Sequence, residues 1–507
     1  MPQNSRRHID RPALFAAALL VAVGGLIYEL ILGTAASYLF GDSIVSFSIA
    51  TGVTLFGMGI GSLIASKFAK RAGRNFAWNE IILGLIGGNS VLILFAAFSL
   101  TPIYWLVFVV LSLIIGILIG LEIPLLIGLF NDYGRKSTIK LLGRVLALDY
   151  FGALIASLLF PFLLLPYLGL MRTAYLVALL NIGIALYILW RLGSLKRMFA
   201  AAILIIGLLL GGFIYASRIE QAIDAKAYQD PVVFYNFSAY QKIVMTQYKD
   251  DTRLYLNNQL QFSSLDEARY HETLAHAAMT SMGEPKSVLI LGGGDGLLAR
   301  EILKYPSVTS ITLVDIDPKM TNIAKDSRLL VDINKKSMQN PKVHIVNEDA
   351  FTYMKNKSGM HDVIIADLVD PSNERIAKLY SKEFYRYGLE RLNPNGVFIT
   401  QATSTYFTAS AFSTIASTVK TAQPNRQIIP LGLNVPSFGE WGFVMSLPEG
   451  ATPFAAGEIP TDVAYISKDK LQQTLNNVSV DPNAAVSTLL HPTVYQKYQV
   501  GMQQWRY

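Results

Sequence analysis

The chain has 507 residues, of which 52% are hydrophobic and 16% are charged, and this composition is too apolar for an ordinary soluble protein. The absence of cysteine excludes disulfide bonds and thiolate metal ligands, and the six histidines are not clustered as metal ligands would be. The net charge of +7 comes mostly from basic residues between apolar segments, which favours lipid headgroups over nucleic acid as the partner.

The hydrophobic residues are concentrated before residue 217. Seven segments there approach or exceed the about 20 apolar residues that cross a bilayer. They lie at 13–33, 45–66, 79–99, 103–130, 146–166, 172–190 and 198–216. The first segment is too long, and is followed by too many others, for a cleaved signal peptide. Residues 1–216 are therefore predicted to form a multi-span helical domain in the cell membrane.

Basic residues occupy alternate loops between the apolar segments. They are, in order, Arg6, Arg7 and Arg11; Lys67, Lys70, Arg71 and Arg74; Arg135, Lys136, Lys140 and Arg144; and Arg191, Lys196 and Arg197. By the positive-inside rule this pattern predicts a cytoplasmic N-terminus. A full crossing by the seventh segment would place everything after it outside the cytoplasm, away from a cytosolic nucleoside, so the side on which the second half lies stays open.

Acidic and small residues inside the apolar half indicate how its helices pack. Unpaired charges there cost at least about 2.5 kcal/mol each and usually face a bundle interior. The acids are Glu29, Glu80, Glu122 and Asp149. They are compatible with a path for a cation, and also with acids that pair with flanking bases or lie near helix ends. Small residues four apart favour close helix packing at Gly57 and Gly61, Gly84 and Gly88, Gly116 and Gly120, and Gly207 and Gly211.

From about Tyr228 the pattern changes to short strands and polar turns. Residues 242–246 and 254–256 alternate in polarity and predict a small β-layer, and 264–282 has the apolar spacing of a helix. Strands then alternate with helices, near 287–291, 311–315, 343–346, 362–366 and 396–401. This alternation predicts a doubly wound, Rossmann-like parallel sheet. The predicted divisions are a linker and β-subdomain at 217–263, the sheet domain at 264–450 and a C-terminal extension at 451–507.

The first two strands of this sheet carry a nucleoside-binding pattern. The first ends in Gly292, Gly293 and Gly294, where the lack of a Cβ lets a ligand approach the backbone. The second ends in Asp315, at the spacing of about twenty residues at which a carboxylate binds ribose hydroxyls. The turn reads GGGDG rather than GxGxxG, and Asp295 within it would repel a pyrophosphate, which disfavours a dehydrogenase.

Six acids follow the ends of the predicted strands, where a doubly wound sheet binds its ligand. They are Asp295, Asp315, Asp317, Asp349, Asp367 and Asp370. Helix capping explains any one of them more simply than ligand binding, but it does not explain all six together. Several carboxylates that face one crevice attract a polycation and hold its ammonium groups.

Eight short motifs occur in the order typical of one known family. They are SAYQKI at 238–243, LNNQLQFSSLDEARYHE at 256–272, GGGDG at 292–296, LVDID at 313–317, NEDA at 347–350, DLVDP at 367–371, LYSKEFY at 379–385 and VPSFGEWGF at 435–443. With these motifs the chain from about Ser238 to Ser446 resembles the polyamine aminopropyltransferases, spermidine synthase in particular. Residues 1–216 resemble the membrane domain of the multi-pass bacterial members of that family.

The resemblance implies transfer of an aminopropyl group from decarboxylated S-adenosylmethionine to putrescine, which gives spermidine and methylthioadenosine. The donor is a co-substrate, and no cofactor or metal is implied. Its sulfonium is already a good leaving group, so such an enzyme mainly aligns the amine and removes its proton. Soluble members of the family form dimers or tetramers, so a homo-oligomer is among the expectations.

The resemblance also implies the roles of individual residues. Asp367 is expected to be the base that deprotonates the attacking amine. The nucleoside is expected to contact Gln241, Asp315, Asp349 and the backbone of Ala350, with Asp317 as a helper on the ribose side. The polyamine is expected to contact His271, Asp295, Asp370 and Tyr270. Without the YHE context, a helix histidine with a satisfied hydrogen bond would be the simpler interpretation of His271, but with that context contact with the substrate is preferred.

The chain departs from the family pattern in the diamine channel. DLVDP continues as SNE instead of Gly-Pro-Ala, and Gln401 is followed by Ala402 instead of an acid. Phe438 stands where a tyrosine is expected, and Asn257 and Asn258 replace an Asp-Gly turn. Loss of a hydroxyl and an acid from the channel would change which amine is accepted, or how well.

Two other functions are kept as alternatives. A class I S-adenosylmethionine-dependent methyltransferase would share the sheet, the glycine turn and the ribose acid, but would not explain Asp367 with Asp370. A membrane polyamine transporter or sensor with a ligand-binding soluble domain would explain the acids in the apolar half. An Asp367→Asn variant would separate the last alternative from an enzyme, because it would stop transfer and leave binding.

Overall fold

The computed structural model describes residues 11–40, 43–132, 138–192, 196–224, 228–238, 240–356 and 359–505. Its internal contacts divide the chain into two units, Met1–Gln229 and Asp230–Tyr507. Some residues used in the sequence analysis lie outside the described ranges, namely Arg6, Arg7, Arg135, Lys136 and Ala239.

The described part of the first unit is helical, since a helix satisfies the backbone hydrogen bonds of a long apolar segment internally. Its helices are α1 (Arg11–Phe40), α2 (Ser43–Ile64), α3 (Ala72–Gly88), α4 (Ser90–Leu100), α5 (Tyr104–Asp132), α6 (Thr138–Leu159), α7 (Leu165–Leu192) and α8 (Lys196–Asp224). A 3-10 segment, Ala65–Arg71, joins α2 to α3. A π-helical segment, Phe160–Leu164, joins α6 to α7 and contains Pro161, which has no N–H for a regular helical hydrogen bond.

Five helical stretches of the described residues are long and apolar enough to cross a membrane. They are Pro12–Leu39, Ile44–Leu100, Tyr104–Phe130, Ile139–Leu192 and Lys196–Ala222. The second and fourth have 57 and 54 residues, whereas one crossing needs about 20. Each of these two contains two of the seven predicted segments, because the chain between the segments continues as helix. The number of crossings therefore stays a prediction.

Close packing at the paired glycines is confirmed for three of the four pairs. A Cβ added to Gly57 or Gly61 of α2 would collide with the backbone of α5. A Cβ added to either glycine of the α5 pair would collide with the backbone of α2. The pair on α3 lies equally close to α7. The prediction is wrong for Gly207 and Gly211 of α8, where an added Cβ would meet no described atom within 4 Å.

Two acids of the first unit are enclosed by its helices. Glu80 on α3 is 0% exposed and Glu122 on α5 is 3% exposed. Neither carboxylate oxygen of Glu80, nor Oε1 of Glu122, accepts a hydrogen bond of 3.5 Å or less from a described donor. Glu29 differs, because it accepts a 2.6 Å hydrogen bond from the hydroxyl of Thr51. Within the described chain, pairing with a flanking base therefore does not explain Glu80.

The second unit begins with a four-stranded antiparallel sheet, which confirms the predicted β-layer. Its strands, paired in chain order, are β1 (Val232–Phe237), β2 (Lys242–Tyr248), β3 (Asp251–Leu256) and β4 (Gln259–Ser263). Asn257 and Asn258 form the turn between β3 and β4 with φ of 49° and 68°. Asparagine tolerates this left-handed conformation better than most residues, so the replaced Asp-Gly pair still gives a tight turn.

A seven-stranded sheet forms the centre of the second unit. Its strands are β5 (Ser287–Gly292), β6 (Ser310–Val314), β7 (Val343–Val346), β8 (His361–Asp367), β9 (Leu392–Gln401), β10 (Arg426–Val435) and β11 (Gly439–Pro448), in the spatial order β10-β11-β9-β8-β5-β6-β7. The five strands β5 to β9 are parallel, which confirms the Rossmann-like sheet. The sheet is mixed rather than wholly parallel, because β10 and β11 pair antiparallel at one edge.

Helices accompany this sheet along the whole unit. They are α9 (Glu267–Met282), α10 (Leu297–Ile302), α11 (Pro318–Asp326), α12 (Arg328–Asn334), α13 (Ala350–Asn356), α14 (Glu374–Ala377), α15 (Lys382–Glu390), α16 (Ala409–Ala422), α17 (Lys468–Thr474) and α18 (Thr493–Gln504). The C-terminal extension folds back on the sheet domain. The Glu272 carboxylate on α9 accepts hydrogen bonds of 2.6 to 2.8 Å from the backbone N–H groups of 464–466.

Candidate active site

A cleft lies between the small sheet and the carboxyl ends of β5, β6 and β8. It has a volume of about 1160 Å³ with its mouth included. All but one of the residues proposed for a site from the sequence line it: Gln241, Tyr270, His271, Asp295, Asp315, Asp349, Ala350, Asp367 and Asp370. The exception is Asp317. The structure thus brings together residues from strands, helices and turns that are far apart in the chain.

The glycine turn after β5 forms the floor of the cleft. Gly292 has φ of 86° and Gly293 has φ of 64°, both in the left-handed region that glycine adopts without strain. A Cβ on Gly292 would collide with the carbonyl oxygen of Asp367, and one on Gly294 would collide with the Asp315 carboxylate. The turn therefore allows the ends of three strands to carry their acids to one place.

Asp315 lies at the end of β6 on one side of this turn. Burial raises the pKa of Asp315 to about 6, and the charges of Asp317 and Asp295 act in the same direction. The backbone N–H of Asp317 donates a 2.8 Å hydrogen bond to Asp315 Oδ1 and opposes that rise. The Asp315 carboxylate points into the cleft, where ribose hydroxyls could donate to it.

Asp317 has a different position from the one expected. It is fully buried and does not line the cleft. It caps α11 by accepting a 2.9 Å hydrogen bond from the Lys319 N–H, and it accepts a 3.0 Å hydrogen bond from Gln241 Nε2. It therefore fixes the side chain of Gln241 and makes no wall of the cleft itself.

Asp349 and Ala350 lie at the start of α13 on the same side. Asp349 accepts a 2.9 Å hydrogen bond from the Thr352 N–H and a 2.8 Å ion pair from Lys378 Nζ. Although partial burial opposes it, these contacts lower the pKa of Asp349. This carboxylate already has a cationic partner, in contrast to the other acids of the cleft.

Asp367, the expected base, ends β8 at the centre of the cleft. The hydroxyl of Tyr270 donates a 2.7 Å hydrogen bond to Asp367 Oδ1. Burial raises the pKa of Asp367 to about 6 and Asp295 adds to the rise, whereas His271 and Tyr270 oppose it. A carboxylate with this pKa is ionised at neutral pH and is still a stronger base than an ordinary aspartate, which suits proton abstraction.

His271 is held from behind by a buried ion-pair chain. Arg300 donates hydrogen bonds of 2.9 and 3.0 Å to the Glu267 carboxylate, which lies 2.9 Å from His271 Nδ1. Burial disfavours the charged imidazole, but Glu267, Asp295 and Asp367 together raise the pKa of His271 to about 9. An imidazolium has no lone pair to offer an ammonium. This geometry favours a role in balancing the charges of Asp367 and Asp295 over the expected direct contact with an amine.

Asp370 receives only neutral donors. Tyr498 on α18 donates to its Oδ2 at 3.1 Å, and Gln401 Nε2 lies 3.4 Å from its Oδ1. Burial raises the pKa of Asp370 to about 6, against the effect of these hydrogen bonds and one from Thr403. Sequence reasoning missed Tyr498, which is 128 residues downstream in the extension and belongs to no motif.

Aromatic rings close the side of the cleft next to Tyr270. Phe438 and Trp441 lie with ring centroids 4.9 Å apart, and both flank the Tyr270 ring, at 6.0 and 6.5 Å. The indole Nε1 of Trp441 is buried and has no described hydrogen-bond partner. The wall is therefore apolar except for one N–H donor that a ligand could satisfy.

Comparisons with known proteins identify the family. Residues 267–454 match the Spermine/spermidine synthase domain. The chain is 39% identical to a polyamine aminopropyltransferase of Oceanobacillus iheyensis over 95% of each chain. It is also 39% identical to one of Leptospira interrogans, over 93% of this chain and 95% of the relative. The chain belongs to the polyamine aminopropyltransferase family. This membership decides against a methyltransferase and a dehydrogenase.

The chain is also similar to the crystal structure of the spermidine synthase from Thermotoga maritima. It is 23% identical with a TM-score of 0.45, and the match covers 53% of this chain and 88% of that chain. The two curated aminopropyltransferases above, in contrast, align with nearly the whole chain, including its helical first unit.

Proposed function

We propose that this aminopropyltransferase converts putrescine to spermidine with decarboxylated S-adenosylmethionine as the aminopropyl donor. The observation that carries the proposal is the placement of Asp367 and Asp370, two buried carboxylates in one cleft, opposite a nucleoside side marked by Asp315 and Gln241. The resemblance to spermidine synthase supplies the substrates, and the charges of the cleft fit them, since both substrates are cations.

The step needs a neutral amine, because an ammonium has no lone pair. Asp367 accepts a proton from the ammonium group of putrescine that attacks the donor. Asp370 binds one of the two nitrogen groups of putrescine by accepting N–H hydrogen bonds. The amine nitrogen then forms a bond to the methylene carbon next to sulfur, the carbon–sulfur bond breaks, and its electron pair stays on sulfur as the neutral thioether of methylthioadenosine. The positive charge passes from sulfur to the new secondary amine.

On the nucleoside side of the cleft, Asp315 would accept hydrogen bonds from the ribose hydroxyls, and the side chain of Gln241 would also contact the nucleoside. Asp349 and the backbone of Ala350 would contact the adenine. These roles rest on family resemblance and on the position of each residue at the cleft. The apolar wall of Phe438 and Trp441 would pack against the methylene groups of the amine chain.

The test is the reaction itself. Purified full-length protein in detergent is incubated with the donor and a panel of diamines, and products are identified by mass spectrometry beside an Asp367→Asn variant. We expect methylthioadenosine and spermidine with putrescine, and none above background with the variant, which should still bind the donor. Transfer to a longer diamine alone would assign a different acceptor, in line with the replacement of a family tyrosine by Phe438 and of a family acid by Ala402. Absence of methylthioadenosine with every amine would refute the proposal.

We further propose that the apolar helices hold the protein in the cell membrane with its N-terminus in the cytoplasm. The length and hydropathy of five stretches and the alternation of basic loops support this arrangement. Fractionation of membranes and protease protection of tags at the two termini test it. Digestion of the N-terminal tag by a protease added outside intact cells would contradict the orientation.

The helical half has a second candidate function, cation binding or passage. It is favoured by Glu80 and Glu122, which are enclosed by the helices. Neither carboxylate oxygen of Glu80, nor Oε1 of Glu122, has a described hydrogen-bond partner within 3.5 Å. Buried carboxylates without donors are costly and mark ion or proton pathways in membrane proteins. Uptake of labelled putrescine into vesicles that contain an Asp367→Asn, Glu80→Gln, Glu122→Gln triple variant or the Asp367→Asn variant alone tests it. Equal uptake by both, or none by either, would refute this function.

A further inference from the structure

The C-terminal helix α18 contacts Asp370, one of the acids that line the catalytic cleft. The Tyr498 hydroxyl donates a 3.1 Å hydrogen bond to Asp370 Oδ2, and the next residue, Gln499, donates a 2.8 Å hydrogen bond from Nε2 to the carbonyl of Ser372. Two consecutive side chains of one helix thus hold both ends of the three-residue segment 370–372. The departure from the family pattern begins at the last residue of this segment, because Ser372 is the first residue of the SNE that replaces Gly-Pro-Ala.

The position of the Tyr498 hydroxyl is fixed by packing. Tyr498 is 5% exposed and belongs to the same apolar cluster as Val494, Phe412 and Ile415. The start of α18 is tied down as well, because the Val494 N–H donates a 3.3 Å hydrogen bond to the hydroxyl of Ser487. A side chain held this way keeps its donor in one place, and its hydrogen bond restricts the rotation of the Asp370 carboxylate.

The donors around Asp370 leave its charge uncompensated. Tyr498, Gln401 and Thr403 are all neutral, and no described Lys, Arg or His forms an ion pair with Asp370. Asp349 differs in the same cleft, because Lys378 pairs with it at 2.8 Å. A buried carboxylate needs a positive partner. No described side chain supplies that partner to ionised Asp370, so an ammonium group of a ligand can, and the neutral donors orient the carboxylate without competing for its charge.

We propose that Tyr498 is a positioning residue for the acceptor amine, so that the C-terminal extension forms part of the active site and contributes to amine specificity. Tyr498 aims the Asp370 carboxylate at one ammonium group of the acceptor, and Gln499 holds the segment that carries Asp370. This inference rests on the proposed function, since it assumes that Asp370 binds the acceptor.

The test is steady-state kinetics of the full-length Tyr498→Phe variant, with each substrate varied in turn. Loss of one hydrogen bond to the charged group should raise KM for the amine about tenfold. The KM of the donor should stay within about twofold, since the hydrogen bond that is removed goes to Asp370, which is expected to bind the amine. The amine KM should also rise more steeply on acidification in the variant, because Asp370 loses a hydrogen bond that favours its ionised form.

Tyr495→Phe on the same helix is the matched control, because its ring packs against the same apolar cluster and it is not among the donors to Asp370. It should leave both KM values unchanged. Equal amine KM in wild type and Tyr498→Phe would overturn the inference, and so would a parallel rise in both KM values or the same amine effect in Tyr495→Phe. Wild-type protein that makes no product with any amine would instead overturn the proposed function, so the two failures are distinguishable.

Discussion

Replacement of Tyr270 by phenylalanine tests the electrostatics of the proposed base most directly. The substitution keeps the ring, which packs against Phe443 and Phe438 at 5.1 and 6.0 Å, and removes the hydroxyl that donates 2.7 Å to Asp367. That hydrogen bond favours the ionised carboxylate, so its loss must raise the pKa of Asp367 above the value of about 6 that burial already produces.

The size of the shift follows from the strength of the bond. A hydrogen bond to a charged group contributes about 1.5 to 3 kcal/mol, and about 1.4 kcal/mol corresponds to one pKa unit. The acidic limb of kcat/KM should therefore move from about pH 6 in the wild type to about one or two units higher in the variant. The base must be ionised to act, so activity is lost on the acidic side of this limb.

The assay is formation of methylthioadenosine by full-length protein from pH 5 to 9. Tyr385→Phe is the control, because Tyr385 is fully buried and lies outside the cleft. Its limb should stay at the wild-type position. A limb that is unmoved or shifted to lower pH in Tyr270→Phe would refute the assignment of Asp367 as a base whose ionisation Tyr270 supports.

Three further substitutions have defined outcomes. Asp370→Asn should gain about 1.4 kcal/mol of stability relative to wild type as the pH rises from about 5 to about 7.5. Burial raises the pKa of Asp370 to about 6, so ionisation of wild-type Asp370 destabilises the fold over this interval. An equal difference in thermal unfolding at both pH values would contradict this. Gly292→Ala should abolish donor binding and lower the free energy of unfolding by at least about 1 kcal/mol. Gly450→Ala is its control, because Gly450 has φ of 79° and no described atom within 4 Å, so that substitution measures only the strain of a positive φ. Trp441→Phe should weaken amine binding about threefold to tenfold in equilibrium titration, since it removes a buried N–H without a described protein partner; unchanged affinity would mean that no ligand uses that donor.

Much of the catalytic half could be predicted because its signals are local. A glycine turn after an apolar strand and acids at successive strand ends specify a doubly wound sheet and its ligand side, and the structure has both. The edge strands β10 and β11 could not be predicted in the same way, because an antiparallel pair joined by a short turn lacks the strand-helix alternation that indicated the others. The residues at the cleft were assigned by resemblance, and their roles stay predictions.

Contacts between distant parts of the chain carry no local signal. Tyr498 meets Asp370 only because α18 folds back onto the sheet domain, and nothing around Tyr498 indicates a role. Asp317 was expected at the ribose because it stands in LVDID, yet the first helical turn after it needs a cap, and the side chain turns inward to Lys319 and Gln241. Glu80 shows the same limit in the apolar half, since only the packed helices reveal that no described base approaches it.

The arrangement of acids in the cleft has a consequence for the release of products. The donor arrives with a sulfonium and an ammonium, and the acceptor arrives as a dication. Three of these four positive charges end on the triamine, the fourth leaves as the proton that Asp367 accepts, and the thioether nucleoside is neutral. Asp367, Asp370 and Asp295 face the cleft without Lys or Arg ion pairs among the described residues, so they retain the triamine more strongly than the nucleoside. We therefore expect the nucleoside to depart first and added salt to speed turnover, because screening of the carboxylates loosens the triamine.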